Sequence, residues 1–196
     1  MAKKSRALSL ADLLSGGDRR SIARSSEVLA MVRADPPRVV ELASLAESSD
    51  WLVAMRALDL LEKLARERVE WVEPHKGIFV GPLAEHESWE IHLQIVRALP
   101  LFDWTARERR RALSILRRDA EHPQAFVRAW AVDSFAAFAA RDPRLLPELG
   151  RLLDELAGSG KRSLEARARA IRASLARAKA AAPRRPRSAA VAKRRC

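Results

Sequence analysis

Val127-Arg128-Ala129-Trp130-Ala131-Val132-Asp133-Ser134-Phe135 is the stretch on which the fold turns. Its apolar residues, Val127, Ala131, Val132 and Phe135, fall on one side of a helix. The same spacing starts at Val53, Ile91 and Ala166, and the starts lie 38, 36 and 39 residues apart. From each start, apolar residues follow four and five positions on: Ala57 and Leu58, Ile95 and Val96, Ala170 and Ile171. Eight positions on stand Leu61, Leu99 and Phe135, and the last copy slips by one to Leu175. Self-similarity at a period of roughly 20–50 residues marks stacked helical units that bury a shared core. Ala, Leu, Arg and Glu dominate the chain, and no stretch alternates as a strand does.

Working outward, turn signals divide the chain into helix pairs. Residues 1–17 read as a flexible or loosely docked lead ending at Gly16-Gly17. Helices are expected over Ser21–Val32 and Arg38–Glu47, separated by Asp35-Pro36-Pro37. Asp50 caps a helix running to about Arg68. Its partner, within 74–86, is interrupted by Gly77, Gly81 and Pro82 and reads as short or irregular. Ser88 opens a helix to Leu99, and a second spans Thr105–Ala120. The next pair runs from near Pro123 to Ala140, then over Leu145–Leu156 to a stop at Gly158-Ser159-Gly160. Leu164, Ala168, Ile171, Leu175 and Ala178 form one stripe on a last helix over 161–178, which reads as a cap for the array. Residues 181–196 carry little apolar bulk and read as a disordered basic tail, leaving 18–180 as the folded domain.

The pattern resembles the HEAT-repeat proteins. The likeness rests on Val127-Arg128 with Ala131, Val132 and Phe135 after the turn at Pro123, and recurs from Val53 and Ile91. It implies an all-α fold, a right-handed α-solenoid of four to five stacked antiparallel helix pairs. It also implies a non-enzymatic scaffold that holds a protein partner in its groove, with no cofactor. In that family an Arg after the first apolar residue ties neighbouring repeats together. Arg128 and Arg167 match it, while Ala54 and His92 do not.

The net charge of +12 has a location. Residues 1–160 carry 24 Lys and Arg against 24 Asp and Glu, whereas 161–196 carry 13 cations against Glu165 alone. A neutral body bears a cationic end, and that end is the alternative functional surface. Arg169, Arg172, Lys179, Arg184, Arg185, Arg187, Lys193, Arg194 and Arg195 are its candidate contacts to DNA or RNA phosphates, without sequence preference. The one cysteine, Cys196, cannot build an internal disulfide, and no apolar run approaches a membrane span, so a cytoplasmic protein with no membrane association is expected.

Candidate partner-binding residues are Trp130 and the basic side of 105–120: Arg107, Arg110, Arg111 and Arg118. Trp130 stands where the other repeats place Arg56, Gln94 and Arg169, so it reads either as an exposed aromatic anchor or as a ring packed against a neighbouring helix. Trp51 and Trp89 occupy equivalent positions and read as core packing, with Trp71 and Trp104 covering the core near helix ends. Asp59, Arg97, Asp133 and Arg172 recur six positions into each repeat with alternating sign, which predicts a charge ladder between repeats. His75, His86, His92 and His122 lack the spacing of a metal helix, and no phosphate loop or nucleophile motif is present. Alkylpurine DNA glycosylases share HEAT-like folds and use Trp and Asp on a basic surface. Trp130 and Asp133 fit that scheme by residue type, but the neutral body does not.

Overall fold

The computed structural model describes residues 8–181. Among these residues it contains helices and turns and no strand. A short α1 (Leu10–Leu14) and α2 (Ser25–Ala34) lead into α3 (Val39–Leu45). The next helices are α4 (Trp51–Glu67) and α5 (Val69–Val72), and tight turns of 3₁₀ type fill 73–85. They are followed by α6 (Trp89–Ala98), α7 (Ala106–Asp119), α8 (Ala125–Arg141), α9 (Leu146–Ala157) and α10 (Arg162–Ala181).

Two layers result. In one, α4 packs on α6, α6 on α8 and α8 on α10; in the other, α3 packs on the 73–80 turns and these on α7. A continuous apolar core runs from Leu10 to Ile171 between the layers. Helices α4 and α7 begin where short polar side chains satisfy exposed amides. Asp50 accepts from the Leu52 N–H at 2.9 Å, and Thr105 and Glu108 cap one another's backbones at the start of α7. Prolines at 36, 100 and 143 convert the junctions into 3₁₀ turns, as the missing amide and fixed φ require.

Two expectations are corrected here. Residues 10–14 are not a loose lead: Ser9 and Asp12 form a capping box, and Leu10, Leu13 and Leu14 are buried in the core. The helix expected from Ser21 starts at Ser25, because Asp18 accepts from the Arg20 and Ser21 amides and Ala23 takes a left-handed φ of 47°. The irregular partner of α4 is present as read: between Glu73 and Glu85 the chain makes only 3₁₀ turns.

Candidate functional site

The irregular segment leaves a groove. Where a regular helix would present bulk to α3, residues 73–86 present Gly77, Ile78, Gly81, Pro82 and Leu83. This opens a cleft of about 450 Å³ rimmed by Glu47, Glu85 and His86. A second hollow of about 380 Å³ shares Glu47, Gly77 and Ile78 and extends along Val40, Ala43 and Ser44 of α3 to Pro74 and His75. Val40 leaves 61% of its surface to solvent at this edge, beside the polar Ser44 and Glu47.

A polar clasp closes one end of the groove. His92 of α6 is buried, and both its ring nitrogens face acceptors: Nδ1 lies 3.0 and 3.2 Å from the Asp119 carboxylate, and Nε2 lies 2.6 Å from the His86 carbonyl. An imidazolium donates to both, with the Arg118 Nη2 donor 3.1 Å from Nδ1 opposing it. The hydrogen bond from Asp119 accordingly raises the His92 pKa, against burial and the nearby Arg118. Burial pushes the Asp119 carboxyl up, but the hydrogen bonds from His92 and Arg118 prevail and hold it below the usual range. Arg118 donates to Asp119 through Nε at 2.8 Å and to Glu85 through Nη1 at 2.8 Å, and Arg111 also binds Glu85. The clasp therefore ties the groove rim to α6 and α7. His122, its ring 5.3 Å from His92, is pushed toward the neutral form first by burial and then by the His92 charge.

The sequence-derived residues scatter over other surfaces. Trp130 is half-buried against the core, with the guanidinium of Arg167 at 4.8 Å and that of Arg97 at 5.4 Å from its ring. It is an inter-helix stack and not a free anchor. The predicted charge ladder forms only at its first step, Arg97 to Asp59 at 3.8 Å. Trp130 occupies the space between Arg97 and Arg167; Asp133 pairs instead with Arg167 at 3.4 Å, and Arg172 with Asp154 at 2.5 Å. Arg111 and Arg118 are spent on Glu85, while Arg107 and Arg110 are exposed with no ion pair among the described residues. Arg169 and Lys179 are exposed on α10. Arg184, Arg185, Arg187, Lys193, Arg194 and Arg195 lie outside the described residues. Trp71 and Trp104 pack against the core as read, and Trp51 and Trp89 are half-buried at helix starts.

Sequence reading missed the groove's Val40, Ile78 and Glu47 and the role of His92. Gly77, Gly81 and Pro82 were the available signal, since a broken helix in a packed layer leaves space. No group of three or more His, Cys, Asp or Glu among the described residues is arranged to hold a metal, and no described helix is long and apolar enough to cross a membrane.

Comparison with known proteins bears on the fold. No protein-family model and no curated protein matches the chain. Among solved structures, a designed armadillo repeat protein, YIII(Dq.V1)4CPAF in complex with the peptide (KR)4, superposes with a TM-score of 0.56. It is 19% identical, over 84% of this chain and 71% of that one. The chain is a HEAT/armadillo-like α-solenoid.

Proposed function

We propose that this α-solenoid is a non-enzymatic scaffold that binds an extended segment of a protein partner in the groove between α3 and residues 73–86. The observation that carries this reading is the pair of adjoining hollows, one over Val40 and Ile78 and the other over Ile78 and Leu83, opened by two glycines in place of a helix. A side chain of moderate size fits each hollow, and the glycine backbone permits close approach of an extended chain. The designed armadillo neighbour was solved with a peptide bound, which agrees with this use of such a stack. Two of the titratable groups nearby are already occupied: His86 Nδ1 accepts from the Ser88 amide at 2.9 Å, and Glu85 is held by two arginines.

The test is a quantitative affinity capture from the source organism, using the full chain, Val40→Asp, Ile78→Asp and the control Phe126→Asp. Phe126 is as exposed as Val40 but lies on α8, away from the groove. A partner retained by the wild type and the control, lost by both groove variants and reproduced by titration of the purified partner, is the expected result. Equal retention by all four chains would remove the groove from the reading.

A further inference from the structure

The cations of the helical body and those of its last helix are treated differently. In the body most arginines between α4 and α9 end on carboxylates, as Arg66 and Arg97 do on Glu62, Arg109 on Asp142 and Arg117 on Glu148, and those exposed with no ion pair among the described residues, Arg107, Arg110, Arg141 and Arg151, are divided among α7, α8 and α9. On α10 only Arg167 and Arg172 are engaged. Arg162, Arg169, Arg177 and Lys179 are exposed and carry no ion pair among the described residues. The first three span about 22 Å of helix at about 1.5 Å per residue. Leu164, Ala168 and Ile171 face inward and are buried, so Arg162, Arg169 and Arg177 share the outward side with Ala166, Ala173 and Ala176, while Lys179 and the half-buried Glu165 stand on its flank.

We propose that this outward side of α10 is a contact surface for the phosphate backbone of duplex DNA, bound without sequence preference. The composition of the face selects among anionic partners. A membrane-surface helix needs bulky apolar residues to sink below the headgroups, and those of α10 are committed to the core. Protein hot spots centre on Trp, Tyr or Arg packed into desolvated pockets, and the arginines of this face stand exposed among alanines with no aromatic ring beside them. Single-stranded nucleic acid is held by aromatic rings that stack on bases, which are also absent here. Small alanines between long cations instead let a phosphate backbone approach closely and read no base. Six further cations follow in residues 182–196 at the same end of the chain. The surface is separate from the groove, so the two proposals stand or fall independently.

The experiment is fluorescence anisotropy of a labelled mixed-sequence duplex DNA with the full chain, repeated over a series of salt concentrations. Each phosphate contact contributes about 0.9 to the slope of log affinity against log salt. Replacing Arg162, Arg169, Arg177 and Lys179 together with Gln flattens the slope by up to about 3.6. Arg→Lys at the three arginines leaves it intact, because charge and not the guanidinium fork is required. Arg107→Gln with Arg110→Gln, and the groove variant Ile78→Asp, bind as wild type. A slope unchanged by the four Gln substitutions would overturn the proposal. So would binding to phosphatidylserine-containing vesicles with none to duplex DNA.

Discussion

Arg56 is 2% exposed and has no carboxylate among its hydrogen-bond partners. Its guanidinium instead donates to four carbonyls: Leu14 at 2.5 Å, Gly16 at 2.8 Å, Asp18 at 2.9 Å and Ser21 at 3.0 Å. One side chain of α4 thus holds the whole turn that returns the chain from α1 to α2. Arg56→Ala leaves these carbonyls to find water and removes a buried aliphatic stem. A hydrogen bond to a charged group contributes about 1.5–3 kcal/mol net, and the four made by one guanidinium are not additive, because Arg56→Ala removes the buried charge together with its bonds and lets water reach the carbonyls. The net loss comes to about 3 kcal/mol, which lowers the melting temperature of a chain this size by about 6–12 °C. Arg56→Lys recovers less than half of it, since one ammonium cannot reach four acceptors in a fork. Urea denaturation gives the free energy, and hydrogen exchange localises it. The amide of Arg24, bonded to the Leu13 carbonyl at 3.0 Å, should lose protection long before those of α8. A loss below about 1 kcal/mol, or faster exchange spread evenly over the chain, would refute the reasoning.

Three further outcomes follow from the same structure. Because the folded pKa of His92 is raised above its ordinary 6.5, its contribution is fully present below that value and is lost as pH rises through the folded value. The stability gap between wild type and His92→Gln is therefore larger at about pH 5.5 than at about pH 8.5 in urea titrations, and a gap that grows with pH would contradict the clasp. Trp130→Ala removes two cation–π contacts and a half-buried ring and should cost about 2–3 kcal/mol by urea denaturation, whereas Trp130→Phe should keep most of it. Thr105→Ala breaks the capping box of α7 and should cost about 1 kcal/mol, read as a shift in the urea midpoint at unchanged m-value.

Residues that act through local spacing were legible from sequence. The helices over 51–67, 89–98 and 125–141 announce themselves because their buried residues recur every three or four positions, and the first of them is also preceded by the Asp50 cap. The break at Gly77, Gly81 and Pro82 was equally plain. Residues whose meaning depends on a distant partner were not. Leu10, Leu13 and Leu14 make too short an apolar run to predict docking, and what fixes them is Arg56, far along the chain in α4. His92 looked isolated because Asp119 lies 27 residues later on another helix. The charge ladder failed beyond its first step for a related reason: Asp133 pairs with Arg167 and Arg172 with Asp154, partners that the repeat register does not align with them. The groove itself is a gap, and sequence patterns report what packs more readily than what is missing.

The irregular second unit also bears on how such a chain can diverge. A residue on a regular repeat helix is constrained by register, since a change of size disturbs packing on both neighbouring helices. Gly77 is under no such constraint: a methyl group built there meets no atom within 4 Å. Side chains can therefore be added at the floor of the groove without disturbing the stack that supports it. Ala, Ser or a longer residue at Gly77 would reshape the hollow while the apolar core stayed intact. The array thus separates the part of the molecule that must be kept from the part that is free to acquire a different partner.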